Sequence, residues 1–120
     1  MVKGLGLDIW EITRMEKLLD DDRFLVRFFT GEEISYIRGK GRSAAQSAAG
    51  LFAAREALAK ALGTGIDFDL RECAVRHTES GRPFYSFSGA LSERLGSDRA
   101  LLSISHDGGV AAAVCIIESV

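Results

Sequence analysis

The N-terminal segment alternates between apolar residues and polar residues or glycine. Residues 2–9 place Leu5, Leu7 and Ile9 on one face, because side chains of a strand point alternately to its two sides. This pattern predicts a half-buried strand. Asp8 then lies on the opposite face, near the C-terminal end of the strand.

Three helices are predicted between residues 13 and 62. Each begins at a capping box, in which side-chain acceptors satisfy free N–H groups of the first turn. The boxes and helix ends are Thr13 and Glu16 (to Leu19), Thr30 and Glu33 (to Gly39), and Ser43 and Gln46 (to about Leu62). Gly63 would end the third helix in the left-handed conformation. This helix is rich in alanine, whose small side chain lets another backbone come close.

The C-terminal half contains two predicted hairpins around a short helix. Strands 73–78 and 83–87 flank a turn at 79–82, and strands 101–106 and 110–118 flank a turn at Asp107, Gly108 and Gly109. The helix between them covers 88–95 and is stopped by Gly96. On the second hairpin Leu102, Ile104 and His106 share a face. The order β-ααα-ββ-α-ββ predicts an α+β fold, with an antiparallel sheet packed with helices.

Composition and charge narrow the class of protein. A chain of 120 residues with 47% hydrophobic and 27% charged residues is typical of one globular domain, spanning 1–120. The net charge of −2 disfavours nucleic-acid binding, and no apolar run approaches the ~20 residues of a membrane span. Cys73 and Cys115 are too few for a disulfide framework or a metal knuckle. We therefore expect a cytoplasmic protein with reduced thiols that binds neither nucleic acid nor membrane.

Two acids are candidates for a metal site. Phe52, Glu56 and Lys60 follow one another at i, i+4 and i+8, so they lie on one stripe of the long helix. Glu56 and Lys60 could form a surface ion pair, or they could offer a carboxylate to a metal and an ammonium to a phosphate. Asp8 could be a turn residue or a second oxygen ligand. Mg²⁺ commonly takes one or two carboxylates together with phosphate and water.

Two further features permit both an ordinary and a functional interpretation. Gly63, Thr64 and Gly65 follow a helix C-terminus, where the helix dipole repels anions, so a plain capping turn is the simpler interpretation. Their backbone N–H groups could still hold a phosphate.

His106 ends a strand beside Ser103 and Ser105, where a histidine can be packed, exposed or part of a site.

Together these segments resemble the holo-[acyl-carrier-protein] synthases, which are small bacterial 4′-phosphopantetheinyl transferases. The resemblance rests on residues 4–12, 52–65 and 102–106 followed by 110–114, and on the hairpin turn at 80–83. It covers essentially the whole chain. It implies the short, single-domain form of the 4′-phosphopantetheinyl transferase fold.

The resemblance also implies a reaction and a site. The phosphopantetheine arm of coenzyme A would move to a serine of an apo acyl carrier protein, with Mg²⁺ held by Asp8 and Glu56, and Arg55 would complete the catalytic set. The site would lie between the subunits of a homotrimer. The implied coenzyme-binding residues are Lys60, Gly63, Thr64, Gly65, Ser80, Gly81, Arg82, Pro83, Ser105 and His106. The implied carrier-docking residues are Arg14, Arg23, Phe24 and Arg27.

Four positions depart from the family pattern. Arg55 stands where the family has lysine, and arginine keeps the charge but cannot act as a base. Leu51 replaces a common arginine, Asp107 replaces a common threonine, and the acidic residues 20–22 lie where the carrier would dock. These changes keep a second hypothesis open, a weakened paralogue that binds coenzyme A or a carrier without efficient transfer.

Overall fold

The computed structural model describes the whole chain, Met1–Val120. The strands are β1 (Val2–Glu11), β2 (Cys73–His77), β3 (Pro83–Phe87), β4 (Arg99–Asp107) and β5 (Val110–Glu118). The helices are α1 (Ile12–Leu18), α2 (Asp22–Phe28), α3 (Gly31–Arg38), α4 (Ala44–Leu62) and α5 (Gly89–Leu95). Short 3₁₀ turns occupy Gly41–Ser43 and Leu70–Glu72. No helix of the structure combines the length and the apolar character that a membrane span requires.

The strands form two antiparallel sheets. A three-stranded sheet has the order β1-β5-β4, and β2 pairs with β3 in a separate hairpin. In the larger sheet Ala113 of β5 pairs with Asp8 on one side and Ile104 on the other. The core lies between α4 and these sheets. The predicted α+β fold is confirmed.

Helix α4 crosses the inner face of the three-stranded sheet at very short range. A Cβ atom on Gly6 would collide with the carbonyl oxygen of Ala57, and one on Gly4 would collide with that of Ala61. Nearer its N-terminus the helix passes over β4, where a Cβ on Gly50 would come within 3.0 Å of Ile104. The alanines of α4 therefore serve close packing within one chain.

The prediction of the buried face of β1 is wrong. Leu5, Leu7 and Ile9 are 64%, 60% and 63% exposed, and the face turned to α4 carries Gly4 and Gly6. Large side chains cannot face inward because α4 lies too close to this strand. The leucines and the isoleucine instead share an outer sheet face with their β5 partners, which are Ile116, Val114 and Ala112.

One of the three predicted capping boxes is confirmed. Thr30 accepts from the backbone N–H of Glu33, whose carboxylate accepts from the N–H of Thr30. The Thr13 box is wrong because α1 already begins at Ile12. The Ser43 side chain caps nothing either, because the 3₁₀ turn before it runs directly into α4.

Helix α2 was not predicted as a separate element. It begins at the acidic run, where Asp21 accepts a hydrogen bond of 2.9 Å from the backbone N–H of Arg23. Asp22 pairs with Arg38 at 3.3 Å. Two of the three consecutive aspartates therefore have structural partners.

Candidate active site

An acidic group forms where the last turns of α4 meet β1. The Nζ of Lys60 donates to Asp8 Oδ1 at 3.1 Å and to the carbonyl oxygen of Leu7 at 2.9 Å. Glu56 lies one turn before Lys60 on the same stripe of the helix. Lys60 thus pairs with the Asp8 carboxylate, so the helix face that carries Glu56 and Lys60 lies against the strand that carries Asp8.

The two carboxylates of this group are close enough to oppose each other's charge. Burial raises the pKa of Glu56, the Asp8 carboxylate raises it further, and the Lys60 ammonium lowers it. The Asp8 side chain is 14% exposed, and its Oδ2 is buried without any hydrogen-bond partner. An unpartnered oxygen beside a second carboxylate suits a hard cation such as Mg²⁺.

Arg55 does not join the acidic group. Its guanidinium is 1% exposed, donates to the Glu33 carboxylate and to the Leu51 carbonyl oxygen at 3.4 Å, and lies over the ring of Phe29. Successive helix residues point about 100° apart, so Arg55 enters the core while Glu56 faces the strand. The guanidinium of Arg55 therefore lies in the core and away from the acidic group, and a role for Arg55 in the catalytic set stays a prediction.

A cleft of about 180 Å³ opens near the other end of α4. It contains three of the predicted coenzyme residues, Gly81, Pro83 and His106. Leu51, which replaces a common arginine of the family, also lines it. The other lining residues are Tyr36, Gln46, Ser47, Gly50, His77 and Ile104.

Polar pairs in this cleft come from distant parts of the chain. Gln46 Nε2 lies 3.0 Å from His106 Nε2, so the glutamine of the failed capping box contacts the histidine instead. The Tyr36 hydroxyl lies 3.3 Å from His77 Nε2, and their rings stack with centroids 4.3 Å apart. Burial and the nearby Lys40 charge lower the pKa of His77, which Glu33 partly offsets. No local motif marks Tyr36 or His77, because only the fold brings them together.

The turn after α4 is occupied with capping its own helix. Gly63 has a φ of 79°, as predicted for a left-handed stop. The N–H groups of Gly63 and Thr64 both return to the carbonyl oxygen of Ala59, at 3.1 and 3.3 Å. Thr64 and Arg94 both bond the Asp67 carboxylate, which ties the turn to α5.

The remaining predicted coenzyme residues are spread over the surface. Ser80 and Arg82 lie in the exposed hairpin turn, where both bond to Thr78. Ser105 lies in a shallow groove of the outer sheet face, together with Leu7. A single chain therefore does not gather the whole predicted set at one point.

The acidic group and the cleft are separated by the body of α4. His106 pairs with Ala111, which pairs with Trp10, two residues beyond Asp8. Two strand spacings and two residues of rise put the Cα atoms of Asp8 and His106 about 12 Å apart. The acidic group and the cleft are therefore two separate places on one chain.

The predicted carrier-docking residues form an aromatic and basic surface on α1 and α2. The guanidinium of Arg14 lies 4.3 Å from the ring centroid of Trp10, and that of Arg27 lies 5.2 Å from the centroid of Phe28. Phe24 packs on Phe28 with centroids 4.9 Å apart. Arg23 is almost fully exposed. We call these residues the docking surface.

Comparison with known proteins identifies the family. Residues 4–115 match the 4′-phosphopantetheinyl transferase superfamily. A holo-[acyl-carrier-protein] synthase of Treponema denticola is 46% identical, over 98% of this chain and 99% of that protein. The solved holo-(acyl-carrier-protein) synthase of Bacillus anthracis in complex with CoA (3′,5′-ADP) is 36% identical, with a TM-score of 0.86 over 100% of this chain and 99% of that one. The Helicobacter pylori synthase in complex with coenzyme A is 31% identical, with a TM-score of 0.84 over 95% and 99%. The chain belongs to the 4′-phosphopantetheinyl transferase superfamily and, within it, to the holo-[acyl-carrier-protein] synthases.

Proposed function

We propose that the chain transfers the 4′-phosphopantetheine arm of coenzyme A to a serine hydroxyl of an apo acyl carrier protein. The serine oxygen attacks the phosphorus atom that carries the arm, and adenosine 3′,5′-bisphosphate leaves. The observation that carries this proposal is the acidic group, in which Asp8 keeps an unpartnered buried oxygen beside Glu56. Relatives similar over the full length are named for this reaction.

Asp8 and Glu56 would hold Mg²⁺, with pyrophosphate oxygens of coenzyme A and water as its other ligands. When bound, the ion would neutralise charge on the phosphates and lower the pKa of a coordinated water. Two observations support the fit, the raised pKa of Glu56 and the orphaned Oδ2 of Asp8, because a divalent cation relieves both. Carboxylate oxygens are also the ligands that Mg²⁺ prefers.

The chain's own residues would bind and orient the coenzyme. Lys60 is half exposed and already orients Asp8 through a 3.1 Å bond, so its ammonium is available as a point charge for phosphate. In the cleft, Gln46 holds the His106 ring, and Gly81 and Pro83 offer a narrow wall. Phosphoryl transfer depends on such positioning and charge neutralisation more than on a protein nucleophile.

We further propose that the two halves of the site meet between subunits of a homotrimer. The outer sheet face supports this, because Leu5, Leu7 and Ile9 are more than half exposed in one chain. Monomers rarely leave such a row of large apolar side chains in water. A second copy covering this face would lie against β1, the edge strand that also carries Asp8, and cyclic symmetry would repeat the contact.

The docking surface would receive the acidic carrier. The guanidinium groups of Arg14 and Arg27 lie over aromatic rings, and Arg23 is exposed to solvent apart from its weak 3.9 Å pairing with Asp21. Charges of this kind act mainly on association rate.

The free, buried cysteines Cys73 and Cys115 are compatible with action in a reducing cytoplasm.

The second hypothesis, a weakened paralogue, is favoured by the cleft wall. Leu51 is buried there and supplies no cation, and Asp107 follows His106 with an exposed negative charge. Both changes would weaken the grip on coenzyme phosphates. The two hypotheses differ in turnover, because the paralogue would bind coenzyme A or a carrier without transferring the arm efficiently.

The mass of the carrier after reaction distinguishes them. The protein is incubated with coenzyme A, MgCl₂ and several apo carriers, and each carrier is weighed by mass spectrometry. The proposal expects at least one carrier to gain one phosphopantetheine in the presence of Mg²⁺, and none to gain it with Asp8→Asn. No gain on any carrier, with coenzyme A still bound in calorimetry, would favour the paralogue.

A further inference from the structure

The carboxylate of Glu33 joins three separate elements in the core. It is 2% exposed. Its Oε1 accepts from the backbone N–H of Thr30 at 2.9 Å and from the Arg55 guanidinium of α4. Its Oε2 accepts from the backbone N–H of Val75 in β2 at 2.9 Å. One charged group of α3 thereby links α4 to the β2-β3 hairpin.

The hairpin has other attachments to the helices, among them the contact of His77 with Tyr36 of α3, whose rings stack with centroids 4.3 Å apart. It shares no backbone ladder with the three-stranded sheet. A buried hydrogen bond to α4 runs from the Tyr85 hydroxyl to the Ala54 carbonyl oxygen, at 2.6 Å. The ion pair between Arg76 and Glu32 also joins β2 to α3, but both side chains are more than half exposed. Exposed pairs contribute little to fixing a structure.

The position of this hairpin sets the width of the cleft. Strand β2 passes from Val75 through His77 into the turn that presents Gly81 and Pro83, and α4 forms the wall that carries Gln46. A bond between Val75 and the helices therefore fixes how far the turn stands from α4. Loss of this bond would let the distance between the turn and α4 vary, although no cleft residue of the turn would be changed.

We propose that Glu33 is a positioning residue that holds the hairpin turn in register for coenzyme binding, with Arg55 as its buried counter-charge. The inference rests on the proposed function, because it assigns the cleft to coenzyme A. It also gives a role to Arg55, the residue before Glu56. That role requires a buried positive charge and no proton transfer. Arginine suits this role because it stays protonated when buried.

A purely stabilising role is the alternative, and removal of both charges separates the two. Buried ion pairs can often be replaced together by apolar residues without loss of stability, whereas removing one partner leaves a buried charge. The double variant Glu33→Leu with Arg55→Met therefore keeps a packed core but cannot bond the Val75 N–H. A stabilising role predicts that such a variant, if folded, binds coenzyme A normally.

The test compares this double variant with the intact protein and with Glu32→Gln, which breaks the exposed ion pair between the same elements. We expect the double variant to raise KM for coenzyme A about tenfold with kcat within about twofold, as loss of uniform binding does. We expect amide hydrogen exchange at 75–82 to be about tenfold faster. Glu32→Gln should change neither quantity.

Other outcomes overturn the proposal. A folded double variant with unchanged KM contradicts it, whether or not exchange accelerates. If the double variant does not fold, Glu33→Asp provides the same comparison, since it keeps the charge but withdraws it from Val75 by one methylene. The exchange measurement needs no coenzyme, so unchanged exchange at 75–82 refutes the anchor even if the intact protein proves unable to transfer phosphopantetheine.

Discussion

Asp8 and His106 lie on the same inner sheet face, with about 12 Å between their Cα atoms. Asp8 contacts Lys60 in the last turn of α4, and His106 contacts Gln46 in its first turn. The same helix therefore contacts both the acidic group and the cleft histidine. The close packing of α4 on β1 is what brings Lys60 to Asp8.

Gly6 is expected to be essential for that packing. Gly6→Ala puts a methyl group against the backbone of Ala57, which cannot move aside as a side chain could, so we expect a loss of about 3 kcal/mol in the free energy of unfolding. Gly31→Ala is the control, because its Cβ would meet nothing within 4 Å. Urea denaturation should show the control unchanged or slightly more stable, and equal stability of the two variants would contradict the packing account.

Removal of a carboxylate from the acidic group should raise stability when no metal is present. Because the pKa of Glu56 is raised in the folded protein, the protonated side chain contributes to the free energy of unfolding. This contribution is fully present below the unfolded pKa of 4.5 and is lost as pH rises through the folded pKa. At pH 7 the charged form is therefore unfavourable, and Glu56→Gln should raise Tm in a chelating buffer.

The effect of Mg²⁺ on thermal unfolding completes this prediction. Added MgCl₂ should raise the Tm of the intact protein by mass action, but not that of Glu56→Gln. Glu93→Gln, at an exposed position of α5, should respond as the intact protein does. An equal Mg²⁺ response in Glu56→Gln would argue against a two-carboxylate site.

His77 should make stability depend on pH in the mildly acidic range. Burial and Lys40 lower the pKa of His77, so the neutral ring contributes to the free energy of unfolding above the unfolded pKa of 6.5. That contribution is lost as pH falls through the lowered folded pKa. His77→Phe keeps a flat ring on Tyr36 but cannot titrate. Urea midpoints at about pH 7.5 and 5.5 should fall less in the variant, and parallel curves would contradict the assignment.

The acidic run before α2 should oppose carrier docking. Changing Asp20, Asp21 and Asp22 together to Asn should lower the carrier KM about threefold at low salt, because like charges slow association. The fold should survive, since Asn caps a helix as well as Asp does. Arg14→Ala and Arg27→Ala should raise the carrier KM with little effect on coenzyme A.

Salt dependence identifies the cause of these changes. Screening should remove most of the difference between about 20 mM and about 500 mM salt. A carrier KM that ignores the triple Asn change at both concentrations would leave Asp21 and Asp22 with only the structural roles seen here, a helix cap and a partner for Arg38.

Local chemistry in the chain predicted many of the elements, and the errors have physical causes. The Thr30 box and the Gly63 stop were predicted correctly because their partners lie within a few residues. The inward face of β1 was predicted wrongly. Large apolar side chains usually face the core, but α4 lies too close to β1 to leave room for them.

The candidate site was only partly predictable for a related reason. The acids and the motifs around them could be recognised in the chain, but partners brought by the fold could not. Arg55 meets Glu33 from 22 positions away, and His77 meets Tyr36 from 41. No spacing rule links such pairs, so the sequence could not place the Arg55 side chain in the core.

Complementation between two defective variants tests the split site most directly. Asp8→Asn removes the acidic half and His106→Ala the cleft half, and each protein should transfer poorly on its own. After the two are unfolded, mixed in equal amounts and refolded, random cyclic assembly would join intact halves at about a quarter of the sites. The account predicts that carrier modification rises toward about a quarter of the intact rate. A mixture no more active than the average of its two components would contradict it.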